Sequence, residues 1–198
     1  SVKFALKSEA AGVDAVVAEG FEAGGHNGRD ETTTLCLIPQ VAKQINIPLI
    51  AAGGIATGRT MLAALNLGAD GVQIGSRFVA SDESSAHEAF KNEVVASKEG
   101  DTILTLKELT PVRLIKNQFY NSIEEAYKNG ASPSELKALL GRGRAKKGMF
   151  EGNIKEGELE IGQISGLINE IKPAAQIIDE IISEYTLALQ EQSRFNFI

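Results

Sequence analysis

Three short stretches of this chain carry residue types that could do chemistry. The first is Gly20-Phe21-Glu22-Ala23-Gly24-Gly25-His26-Asn27-Gly28, a glycine-rich loop with one histidine in it. Imidazole exchanges a proton near neutral pH, so His26 is a candidate acid or base. The competing reading is a histidine bonded to backbone. The second and third stretches are Gly53-Gly54 and Gly75-Ser76, each closing a short apolar run. Glycine tolerates positive φ and lets a ligand come close to the backbone. Consecutive N–H groups in such loops can cradle an anion. Either pair alone is equally a tight turn. The two in successive loops favour a phosphate grip for a cofactor.

Other reactive residues point nowhere in particular. His87 follows Ser84-Ser85-Ala86 at the start of a helical pattern and reads as a capping or surface residue. Two histidines and the single Cys36 stand far apart, without metal-ligand spacing, so no metal is expected. Cys36 reads as a small buried residue on a helix. Ser76 lacks the nucleophile-elbow pattern. The Arg142 to Lys147 run reads as a mobile, solvated linker, and Asp30-Glu31 as a solvated loop.

The elements that must position the three stretches follow from periodicity. Residues 2–11 read as a helix, 14–19 as a strand, 35–45 as a helix with Pro39 in its first turn, and 48–52 as a strand. Thr57 would cap a helix over 59–67, and 71–74 reads as a third strand. Crossovers of about 30 residues are the size of βα units, which makes the strands parallel. Runs that are apolar throughout predict strands covered on both faces. Residues 84–140 look helical. Residues 173–189 form an amphipathic helix with Ile177, Ile178, Ile181, Ile182 and Tyr185 on its apolar side.

Composition fits a globular α/β chain. It has 198 residues, 43% hydrophobic and 23% charged. A net charge of -6 argues against a nucleic-acid binder. No apolar run approaches the roughly 20 residues of a membrane helix. One cysteine fits a reducing compartment, so a cytoplasmic location is expected.

The loops resemble those of the nitronate monooxygenases, also called 2-nitropropane dioxygenases, and of the related flavin-dependent enoyl-acyl carrier protein reductases. The resemblance is carried by Glu19 to Gly28, by Ile50-Ala51-Ala52-Gly53-Gly54-Ile55, and by Gly71-Val72-Gln73-Ile74-Gly75-Ser76-Arg77-Phe78. Pro111-Val112-Arg113-Leu114-Ile115-Lys116-Asn117 and Gly162-Gln163-Ile164-Ser165-Gly166-Leu167-Ile168 also fit it. It implies an FMN-binding TIM barrel with a helical insert. It places Glu19, Gly24 and Gly25 near the flavin. Gly53 and Gly54, with Gln73, Ile74, Gly75 and Ser76, would hold the FMN phosphate. His26 falls at the catalytic histidine. Position 19 is Glu where many nitronate monooxygenases have Gln, and position 76 is Ser where Thr is common.

The activity so implied is oxidation of alkyl nitronates by oxygen to a carbonyl compound and nitrite, with His26 positioning the nitronate or taking a proton. The acidic segment from Gly28 to Thr34 favours this reading. The alternatives are an NADPH-dependent reductase acting on an enoyl thioester, and a non-catalytic module that holds FMN. Three regions are expected: 1–83 with the last barrel strands and phosphate loops, 84–160 as a helical insert, and 161–198 packing back on the barrel. A barrel takes about 250 residues and eight strands. The three strands here read as the sixth, seventh and eighth, so the N-terminal part of the barrel is expected to precede Ser1. The 173–189 helix would pack on its own barrel, or on a second copy in a homodimer.

Overall fold

A computed structural model describes residues 1–192. Helix α1 (Val2–Ala10) leads into strand β1 (Val16–Glu19) and the two-residue strand β2 (Gly25–His26). Helix α2 (Thr34–Ala42), strand β3 (Leu49–Ala52), helix α3 (Gly58–Asn66) and strand β4 (Gly71–Gln73) follow. β1, β3 and β4 form a parallel sheet in the order β1-β3-β4, with Val17 opposite Ile50 and Ile50 opposite Gly71. Parallel pairing is what the crossover lengths predicted.

Val16, Ala18, Leu49 and Ala51 turn toward the helices and close the first core with Ile38 and Val41 of α2. Burying the valine, leucine and isoleucine side chains among them contributes about 1.5–3 kcal/mol each. The other face of the sheet carries Val17, Ile50 and Gln73, and Val17 is 50% exposed. The expectation that both faces are covered is therefore corrected. β1 alternates buried and exposed, and helices cover one face only.

Two details of α2 differ from expectation. Pro39 lies inside the helix, in its second turn, because the helix already begins at Thr34. The Glu22 carboxylate accepts the Thr34 N–H at 2.9 Å and so fixes that start. Cys36 is exposed rather than buried, since Leu37, Ile38 and Val41 take the core-facing stripe. Thr57 caps α3 as expected, in a capping box with Thr60.

The second half holds helix α4 (Ser76–Val79), helix α5 (Glu88–Ala96), strand β5 (Thr102–Thr105), strand β6 (Val112–Ile115), helices α6 (Gln118–Lys128), α7 (Pro133–Leu140) and α8 (Arg144–Met149), a 3-10 turn at Gln163–Leu167, and helix α9 (Ala174–Gln192). The helical reading of 84–140 thus missed an antiparallel hairpin of β5 and β6. These strands are four residues each, too short to break a helical pattern seen over longer windows. β2 joins the free side of β6, with Gly25 opposite Arg113 and His26 opposite Val112. The glycine-rich loop is thereby tied to the second sheet, while β1, which leads into it, belongs to the first.

The basic run is ordered, not a mobile linker. Arg144 begins α8 and donates to the carbonyls of Leu139, Leu140 and Glu156 at 2.8, 2.9 and 2.7 Å. Its guanidinium stacks 4.4 Å from the centre of the Phe119 ring. His87 caps α5, its Nδ1 accepting the Ala89 N–H at 3.1 Å.

α9 packs on α3. The contact is close because residue 58 is glycine: a Cβ there would overlap the Tyr185 nitrogen and the Ile181 carbonyl. Glu184 accepts the Gly58 N–H at 2.8 Å. Only part of the expected apolar side is covered. Ile177 and Ile181 are buried, whereas Ile178 and Ile182 are exposed. The stretch of the 161–198 region beyond Gln192 lies outside the described residues. Among the described residues, no helix is long and apolar enough to cross a membrane.

Candidate cofactor and active site

A pocket of about 200 Å3 opens at the carboxyl ends of the three parallel strands. Parallel sheets end their strands at one edge, so the loops that follow gather there. Glu19 closes β1, Gly53 and Gly54 follow β3, and Gln73, Gly75 and Ser76 follow or close β4; all line the pocket. Gly24 and Gly25 enter it from the glycine-rich loop. The expected residues from four separate stretches therefore meet in one place.

The glycines are needed for two physical reasons. Gly53 has φ +90, and a Cβ there would come within 2.8 Å of the Gly20 carbonyl. Gly24 lies so close to the segment after β6 that a Cβ would sit 2.6 Å from the Ile161 Cα. Among the described residues, no protein group accepts the N–H of Gly53, Gly54, Gly75 or Ser76. Such N–H groups beside a pocket are free to bind an anion. Ser76 adds a hydroxyl. Its Oγ accepts the Gly162 N–H at 3.0 Å, which leaves its own proton to donate.

Two expected residues lie elsewhere. Ile74 turns its side chain into the first core and does not line the pocket. His26 is exposed on β2 beside Gly25 and does not line the pocket. The link between them is Glu160, which lines the pocket and whose Oε2 lies 2.6 Å from where a Gly25 Cβ would stand. Burial raises the Glu160 carboxyl above the usual range, and the charge His26 can carry pulls it back.

Glu19 is also pushed up by partial desolvation, although it sits on the open side of the sheet. Glu158, one strand position from Leu159 and two from Glu160, is 7% exposed. Burial first, then Glu160, raises its carboxyl to about 7, while Arg144 works against that.

Sequence reasoning missed several pocket residues. Glu22 carries a carboxylate held by the Thr34 N–H and hydroxyl at the start of α2. Ile55, Val79, Met149, Ile161 and Ile164 form an apolar wall. The alternation Glu158-Leu159-Glu160-Ile161 was the available signal, since period two marks an extended segment. A more apolar groove of about 370 Å3 adjoins the pocket, sharing Glu22, Gly54 and Ile164 and walled further by Leu167. Among the described residues, no carboxylate, histidine or cysteine group is arranged to hold a metal.

These residues fit a flavin mononucleotide. Residues whose N–H groups have no protein acceptor among the described residues, with the Ser76 hydroxyl, line the pocket and suit a phosphate, and the apolar wall suits a planar ring system.

Comparison with known proteins is consistent across sequence and structure. The profile of the family described as nitronate monooxygenase matches residues 1–184. A probable nitronate monooxygenase of Staphylococcus saprophyticus is 37% identical over 195 residues, covering 93% of this chain and 54% of that protein. The counterpart in Staphylococcus haemolyticus is 34% identical over 194 residues, with the same two coverages. The structure of FabK from Thermotoga maritima superposes with a TM-score of 0.92 at 41% identity, over 99% of this chain and 62% of that one. The nitroalkane oxidase of Streptomyces ansochromogenes gives 0.78 at 31%, over 97% and 57%. The chain spans a little over half the length of the curated relatives it matches. A family profile that runs through both the glycine loops and the second sheet leaves one assignment: the chain belongs to the nitronate monooxygenase family.

Proposed function

We propose that this chain forms the C-terminal part of an FMN-dependent oxidoreductase that oxidises alkyl nitronates with oxygen to a carbonyl compound and nitrite. The observation that carries the reading is the set of open N–H groups at Gly53, Gly54, Gly75 and Ser76 around one pocket, next to the His26 loop. Bound FMN supplies the redox chemistry. The protein binds, orients and handles protons. Ser76 and the four amides hold the phosphate. The apolar wall from Ile55 to Met149 excludes water from the ring. His26, on the loop beside the pocket, positions the nitronate or accepts a proton.

In this reading β1, β3 and β4 are the last three strands of a barrel, and the N-terminal strands of the same barrel cover Val17 and Ile50 on the open face. The second reading is an NADPH-dependent enoyl-acyl carrier protein reductase, which the FabK superposition at 41% identity favours. A visible spectrum of the complete protein tests for flavin. Anaerobic mixing with NADPH, and separately with propionate 3-nitronate, separates the two enzymes. Reduction by the nitronate alone supports the oxidase, and rapid reduction by NADPH supports the reductase. A protein with no flavin spectrum that binds no added FMN overturns both.

A further inference from the structure

We propose that Arg113 is a positioning residue that clamps the His26 loop at two points; this rests on the reading of His26 as catalytic. Arg113 is 2% exposed and lines no pocket surface, so its charge serves the protein interior. Its Nε and Nη2 both donate to the Phe21 carbonyl, at 3.2 and 2.9 Å. The guanidinium also lies over the Phe21 ring, 4.4 Å from its centre. The backbone of the same residue pairs with Gly25 in the β2–β6 ladder. One residue therefore holds the loop at positions 21 and 25, with His26 next in line.

A buried arginine costs desolvation, which lowers its pKa, and a loop of glycines gives back little contact. Its retention here needs a use. The cation is balanced by Glu22, itself a pocket residue, and by Glu31. The two donors on one carbonyl, with the ring beneath, use the planar fork of arginine, which lysine lacks. Other ties on the loop lie nearer its first half or are single bonds: the Glu22 carboxylate accepts the Thr34 N–H and hydroxyl, Gly20 N–H donates to the Ala52 carbonyl, Phe21 N–H to the Thr32 carbonyl, Gln163 N–H to the Glu22 carbonyl, and Asn27 N–H to the Pro111 carbonyl. The side-chain hydrogen bonds of Arg113 reach neither Gly53-Gly54 nor Gly75-Ser76. Loosening the clamp should displace His26 while the phosphate contacts stay.

The test is R113K in the complete, FMN-loaded protein, with F21L as a milder variant that keeps the hydrogen bonds and removes the ring. R113K is expected to lower kcat about tenfold to a hundredfold, the cost of misplacing a reacting group by about 1 Å. FMN affinity should fall by much less than kcat, since Gly24 and Gly25 of this loop line the pocket but the phosphate loops do not hang from it. Amide hydrogen exchange should speed up across 20–28 and not in β3. F21L should move both readouts the same way and less. Equal losses in FMN affinity, kcat and β3 protection would reduce Arg113 to a general stability residue and overturn the proposal. So would unchanged exchange in the loop. If the wild-type protein proves to bind no flavin, the functional reading fails, and the exchange comparison still decides whether the clamp exists.

Discussion

The Gly162 N–H donates to the Ser76 hydroxyl oxygen at 3.0 Å, joining the last parallel strand to a segment 86 residues later. A hydroxyl that already accepts is oriented as a donor. The bond leaves the Ser76 proton free to donate to a ligand in the pocket that Ser76 lines. S76A removes that donor and leaves Gly162 unpaired, whereas S76T keeps both. A hydrogen bond to a charged group contributes about 1.5–3 kcal/mol. FMN dissociation constants, measured by quenching of flavin fluorescence, should rise about ten- to hundredfold for S76A and little for S76T. Equal binding by S76A and wild type would remove Ser76 from the phosphate site.

Gly53 and Gly54 both have positive φ, yet they differ in room. A Cβ at Gly53 meets the Gly20 carbonyl at 2.8 Å, while one at Gly54 meets the Glu22 side chain at 3.3 Å. Backbone cannot move aside as a flexible side chain can. G53A should destabilise by about 1–3 kcal/mol in urea unfolding, more than G54A does. The reverse order would contradict the packing described.

H26N should abolish turnover and leave FMN bound. His26 is exposed and pairs only through its backbone, so its replacement disturbs neither core nor phosphate loops. Wild-type turnover by H26N, with flavin present in the visible spectrum, would exclude a catalytic role.

Glu158 predicts a pH dependence of stability. Its carboxyl titrates near 7 in the folded chain and about 4.3 when unfolded. Between those values the folded state holds more protons, so stability falls as pH rises from about 4.5 to 7. E158Q should remove most of that slope. It should stabilise at pH 8 by on the order of 3 kcal/mol, and change little at pH 5. Parallel urea titrations at the two pH values measure it.

The first half of the chain was legible because each strand is a short aliphatic run closed by glycine, and Thr57 and Gly68 mark the ends of α3. The site was legible for the same reason, since glycines at strand ends gather where parallel strands end. What stayed hidden depends on tertiary contact. Arg113 sits in a buried strand where a charge breaks the apolar pattern, and only Phe21, far away in sequence, explains it. The exposure of Val17 could not be read from a run that is apolar at every position. Arg144 looked like part of a solvated basic tract because its partners are carbonyls and the Phe119 ring, none of which a charge pattern records.

The strand β2 belongs to one sheet, and β1, the strand just before it in the chain, to the other. The groups for phosphate hang from the parallel sheet, and the histidine loop hangs from β6. If the proposed function holds, changes in the β5–β6 hairpin would shift how His26 is presented more than they shift the glycine loops after β3 and β4. A fold wired this way would let the presentation of one side chain change while the cradle for a phosphate keeps its shape.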